Sequence, residues 1–163
     1  MKILFDKVPG NARIWIFQSS RLLTSSEEMQ LEKAAFDFLE SWTAHKVGLT
    51  ASATLRDHLF LVIAVDETEV GASGCSLDKL HQFVKSLELS LGIKLLDRLN
   101  IAFVNSEGEL AIEPLHRFEE MLKAGSVDGE TRVYDLTVAD VAAYKSHFLG
   151  PLKNTWLQRY QLV

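Results

Sequence analysis

The run Leu59-Phe60-Leu61-Val62-Ile63-Ala64-Val65 constrains this chain more than any other stretch. A short run that is apolar throughout fits a central strand, which other elements must cover. The residues just beyond it matter as much. Val70-Gly71-Ala72-Ser73-Gly74-Cys75-Ser76-Leu77-Asp78 is a stretch of small residues, and Leu77 to Leu91 is amphipathic. Strand, tight small-residue loop and helix start are the simplest reading.

The loop has several chemical capacities. Gly71 and Gly74 allow backbone angles that other residues reach only at a cost. The short side chains of Ala72, Ser73, Cys75 and Ser76 let something approach the backbone closely. Ser76 reads as the N-cap of a helix beginning at Leu77, with Asp78 in its first turn. Free amides at such an end can bind an anion, and the same position lowers the pKa of a thiol such as Cys75. The plainer reading makes the loop a turn and a cap, with Cys75 a small buried filler. No G-x-x-x-x-G-K-[ST] is present, so no phosphate loop and no ATP hydrolysis are expected.

A length of 163 residues suits a single domain, spanning 1–163. The net charge of −5, without a Lys/Arg run, argues against a nucleic-acid binder. One cysteine excludes an internal disulfide and a cysteine-built zinc or iron–sulfur site within one chain. The five histidines show neither H-x-x-x-H nor H-E-x-x-H spacing, so no metal is expected. No apolar run is long enough for a membrane span, and Met1 to Asp6 lacks a signal-peptide apolar core. A cytoplasmic protein without a cofactor is the expectation.

In chain order, Ala12 to Gln18 reads as a strand, with Arg13, Trp15 and Phe17 on one face. Thr24-Ser25-Ser26-Glu27-Glu28 is a capping-box signal, using Thr24–Glu27 or Ser25–Glu28. The helix after it carries Leu31, Ala34, Ala35, Phe38 and Trp42 on one stripe and ends between Ser41 and Lys46. Leu49 to Leu55 and His58 to Val65 form a hairpin turning at Arg56-Asp57. Leu80, Phe83, Val84, Leu87 and Leu91 mark the second helix, with Gly92 its stop. Leu99 to Val104 is a further strand. Beyond it come a turn at Asn105 to Gly108, a short strand, and a helix from Pro114 to Lys123 stopped by Gly125. Next are a short strand at Thr131 to Tyr134, a capping-box-like start at Thr137 to Asp140, a helix to about His147, and a break at Gly150-Pro151. Trp156 and Tyr160, four apart, predict a docked tail.

That order is β-α-β-β-α-β, the order of ferredoxin-like α+β domains. The expectation is a four-stranded antiparallel core over about 12–104, with both helices on one face, and a C-terminal extension of helices and strands over about 105–163. The other sheet face is open to the extension, a partner or a second copy, so a homodimer stands among the expected partners.

His45 near the end of the first helix is the candidate base for a Cys75 nucleophile. Alternatively it caps the last helical carbonyls as a cation. Asp78 and the pair Asp66-Glu67 are candidate acid/base groups, or ordinary strand-end and helix-start residues. Arg98, beside Asp97, could hold a carboxylate or phosphate in bidentate fashion, or form a local ion pair.

These residues carry a resemblance. Ser41-Trp42-Thr43-Ala44-His45, Val65-Asp66-Glu67, Gly71 to Lys79 and Leu96-Asp97-Arg98 stand in an order similar to that of a Bacteroidota family of about this length. Its members often carry the inherited label "ABC transporter ATPase", which the absent phosphate loop does not support. The resemblance runs from Arg13-Ile14-Trp15 to the tail at Trp156 and is most specific over Ala72 to Asp78. It implies where a site lies, at Trp42, His45, Ser73, Gly74, Cys75, Ser76, Asp78, Asp97 and Arg98, and it supplies no substrate.

The expectation is therefore a small-molecule or protein-binding module with its site at Gly71–Asp78, its ligand-binding residues being Trp42, Ser73, Gly74, Cys75, Ser76 and Arg98. The competing expectation is a thiol-dependent enzyme using Cys75, His45 and an oxyanion hole of loop amides. A third is an anion-responsive regulatory domain using the helix start and Arg98.

Overall fold

The computed structural model describes residues 1–162, with side chains described through Gln161. The chain is α+β with antiparallel sheets, and it divides into two compact units. The first comprises residues 1–96 with 139–142, and the second residues 97–138 with those from 143 onward.

The first unit contains β1 (Arg13–Gln18), α1 (Ser25–Ser41), β2 (Thr43–Ala44), β3 (Val47–Gly48), β4 (Thr50–Arg56), β5 (Phe60–Asp66) and α2 (Gly74–Leu91). Its main sheet has the order β1-β5-β4 and is antiparallel throughout. The apolar run is the central strand, as its composition requires, with Trp15 and Ala53 flanking Ile63. Leu61, Ile63 and Val65 share one core with Leu31, Ala35 and Leu39 of α1 and Leu80, Val84 and Leu87 of α2. Each such buried leucine, isoleucine or valine stabilises the fold by about 1.5–3 kcal/mol relative to exposure. Phe38 stacks on Phe83 with ring centroids 4.4 Å apart, tying the two helices together. Ile14, Ile16, Phe60, Val62 and Ala64, on the other face, are buried too, so the sheet has no open face.

Thr24 and Glu27 form the capping box of α1, each side chain bonded to the other's backbone N–H. The β4–β5 turn is carried by Asp57 and His58, both at positive φ, one residue later than Arg56-Asp57. Short segments line both sheet edges. Ile3 N–H donates to the Ala51 carbonyl at 3.0 Å, and Ile14 N–H donates to the Ala139 carbonyl at 3.1 Å.

That second contact explains a departure from expectation. The strand after α2 does not join this sheet as its fourth member, because 139–142 occupies the outer edge of β1. That strand, β6 (Asn100–Val104), belongs to the second unit, with β7 (Leu110–Pro114), α3 (Leu115–Ala124), β8 (Arg132–Tyr134) and β9 (Leu149–Pro151), and α4 (Val141–His147) belongs to it from residue 143 on. The second sheet has the order β7-β6-β8-β9. Its core gathers Ile101, Phe103, Phe118, Val133, Leu152 and Leu157.

Thr137 does not cap α4. Its N–H and hydroxyl both donate to the Asp135 carboxylate, and the helix begins at Val141. Gly150-Pro151 lies in β9 at the sheet edge, where a missing N–H is tolerated. Trp156 and Tyr160 meet edge to face at 6.0 Å and pack on the core, so the tail docks. No described helix is long and apolar enough to cross a membrane.

Candidate functional site

The loop between β5 and α2 is held by its own side chains. The Asp66 carboxylate accepts the N–H of Thr68 at 3.0 Å. The Glu67 carboxylate accepts the N–H of Ala72 at 2.9 Å and lies 3.9 Å from the Arg13 guanidinium, which sits over the Trp15 ring. Both anions thereby fold the loop back on itself.

Helix α2 begins three residues earlier than Ser76 would place it. Ser73 is the N-cap: its hydroxyl accepts the Ser76 N–H at 3.2 Å, and its carbonyl accepts the Leu77 N–H at 2.9 Å. Ser76 sits inside the first turn, fully buried, and its hydroxyl donates to the Ser73 carbonyl at 2.7 Å. Asp78 consequently lies beyond the first turn.

Neither loop glycine uses the conformational freedom expected of it. Positive φ among the described glycines is confined to Gly92, Gly108 and Gly125. A Cβ added at Gly74 would meet nothing within 4 Å, and one at Gly71 only the Glu67 side chain at 3.7 Å. The fold itself therefore calls for glycine at neither position.

From behind, the first turn is braced by Trp42, the C-cap of α1. Its indole N–H donates to the Ser76 carbonyl at 2.8 Å. Trp42 is 1% exposed and lies against Trp15 and Phe38. Trp42 and Ser76 thus belong to the scaffold. On the outward side, Gly74, Cys75 and Asp78 are exposed and Ser73 is half-buried. Cys75 is a free thiol, not a buried filler. Among the described residues, the amides of Gly74 and Cys75 have no hydrogen-bond acceptor.

His45 is not a helix cap. It sits with Lys46 at the tip of the β2–β3 hairpin, both at positive φ, exposed. Among the described residues, no hydrogen bond or ion pair joins His45 to Cys75. Asp97 accepts the N–H of Leu99 at 2.9 Å and the Asn100 amide at 3.3 Å, so it organises the approach to β6 and forms no ion pair with Arg98. Arg98 belongs to the second unit, where it lines a small cavity. The sequence does not mark Glu67, Phe38 and Phe83 as braces of the site. Only the alignment of Phe38 and Phe83 on helix stripes hints at such a role. Among the described residues, no group of three or more His, Cys, Asp or Glu is placed to hold a metal ion. Comparison of the chain with protein-family models, with curated proteins and with solved structures finds no match.

Proposed function

We propose that this chain is a cytoplasmic binding module that takes a small molecule or a protein segment at the start of α2. Ser73, Gly74 and Cys75 make the contacts, and Trp42 and Ser76 hold the turn in place. The observation that carries the reading is glycine at positions 71 and 74 without a structural requirement for it. A surface that something must approach closely supplies that requirement. The two unpaired amides at the helix start offer hydrogen bonds to such a ligand. The fold reading that goes with it takes β1, α1, β4, β5 and α2 as the first five elements of a ferredoxin-like arrangement, with 139–142 at the edge where a fourth strand would lie. The resemblance to the Bacteroidota family is part of the same reading, and its ATPase label is not adopted.

The test is a fragment screen on the 15N-labelled chain, read by amide chemical shifts. Ligands are expected to move Gly71, Ser73, Gly74 and Cys75 together. Gly74→Ala is expected to abolish those shifts while changing stability by less than about 0.5 kcal/mol. Ligand shifts that survive Gly74→Ala, or that avoid the loop, would sink the proposal.

A thiol-dependent enzyme is the second reading, favoured by an exposed Cys75 in the first turn of an 18-residue helix. Alkylation of the native chain against pH separates the two. A midpoint well below about 8.5, lost in the unfolded control, supports the nucleophile. A midpoint equal to that of the control removes it.

A further inference from the structure

The second unit holds a cavity of about 90 Å³ lined by Arg98, Asn100, Ile101, Tyr134, Leu136, Thr137, Trp156 and Leu157. Three separate parts of the chain build it: the entry to β6, the exit of β8 and the C-terminal 3-10 helix Trp156–Leu162. Ile101, Tyr134 and Leu157 are buried, so its inner wall is fixed by the core. We propose that this cavity is a binding site for a small monocarboxylate, with the carboxylate on Arg98 and the short alkyl group among Ile101, Leu136 and Leu157.

Charge selects a monoanion. Arg98 is exposed, and among the described residues its guanidinium enters no hydrogen bond or ion pair. Its five donors in a planar fork match one carboxylate in bidentate fashion. The acids nearest the lining residues in the chain are committed elsewhere. Asp97 accepts from the Leu99 N–H and the Asn100 amide, and Asp135 from the N–H and hydroxyl of Thr137. The single Arg98 cation in the lining suits a single negative charge. The Arg159 guanidinium lies 5.4 Å from the Trp156 ring centroid and adds positive potential to that wall.

Size then narrows the class. A dry apolar cavity of about 150 Å³ accepts benzene, so about 90 Å³ accepts a ligand of roughly four or five heavy atoms. Acetate and propionate fit that limit. With so few atoms the dissociation constant is on the order of 1 mM.

The site is independent of the proposed α2 loop, and its test is separate. Sodium acetate, propionate and chloride are titrated at constant ionic strength into the full chain, with propionamide as the uncharged isostere. The readouts are the indole N–H resonance of Trp156 and the amide resonances of Asn100 and Thr137. Propionate is expected to give a saturable shift, and propionamide to bind at least tenfold more weakly. Arg98→Ala is expected to weaken propionate at least tenfold without changing the melting temperature. Arg98→Lys is expected to fall between, because it keeps the charge and loses the fork. Leu136→Phe, which fills the cavity, is expected to abolish the shift with Arg98 intact. No saturation at roughly a hundred times the expected dissociation constant, equal shifts from chloride, equal binding of propionamide, or an unchanged affinity in Arg98→Ala would each overturn the proposal.

Discussion

The indole N–H of Trp42 donates to the carbonyl of Ser76 at 2.8 Å, joining the C-cap of α1 to the first turn of α2. The two residues are 34 positions apart, and both are buried. Removing the donor while keeping an aromatic ring isolates the bond. Trp42→Phe is expected to lower stability by about 1–2 kcal/mol, the net bond plus a small void. Trp42→Ala is expected to cost about 3–5 kcal/mol. Urea denaturation measures both, and a neutral Trp42→Phe would show that the bond is not a brace.

The cap of α2 makes a rank-order prediction. Ser73→Ala removes the acceptor of the Ser76 N–H and is expected to cost about 1 kcal/mol, with Ser73→Gly costing a few tenths. Ser76→Ala loses a donor to a carbonyl that already accepts from Leu77 and a long 3.3 Å acceptor of the Ser73 hydroxyl, while every backbone N–H keeps its partner, so its cost is expected to be smaller. Finding Ser76→Ala the more damaging change would move the N-cap back to Ser76.

At the start of α1, the Arg21 guanidinium and then the Thr24 N–H hold the Glu27 carboxyl at about 2, down from 4.5. A carboxyl depressed on folding adds stability above its unfolded value and loses it as pH falls through the folded value. The wild-type chain is therefore expected to lose stability between about pH 4.5 and 2 partly through this group. Glu27→Gln should show a shallower loss across that window. The pair is solvent-accessible, so added salt should shrink the difference. Equal acid slopes for the two proteins, in denaturant melts at stepped pH, would remove Glu27 from the acid response.

The hairpin tip at His45 and Lys46 is strained in a defined way. Both residues sit at positive φ, 50° and 69°, as a two-residue turn of this hand requires. Lys46→Gly is expected to raise stability by roughly 0.5 kcal/mol, the relief of left-handed strain less the added freedom of the unfolded chain. His45→Asn should be neutral or stabilising. A loss of stability in both variants, by thermal melting, would mean that the side chains make contacts that matter more than the backbone.

Much of the first unit is legible along the chain because its signals are local. Helical stripes at Leu31 and Ala35 and at Leu80, Val84 and Leu87, the Thr24–Glu27 box, and the stop at Gly92 each rest on contacts within a few residues. The apolar run of β5 needs covering on both faces, and both faces are buried. The start of α2 departs from expectation by a turn because Ser73 and Ser76 are both competent caps, and sequence alone does not rank two serines three apart.

Tertiary structure decided the rest. Whether the strand at Asn100 joined the first sheet depended on what else competed for the edge of β1. That competitor, Ala139–Ala142, lies far along the chain and carries no strand pattern of its own. Sequence named Trp42, Ser76 and Arg98 as site residues through type and order. Only packing could assign Trp42 and Ser76 to a buried brace and Arg98 to a cavity in another unit, because burial and partnership are properties of contacts between distant residues.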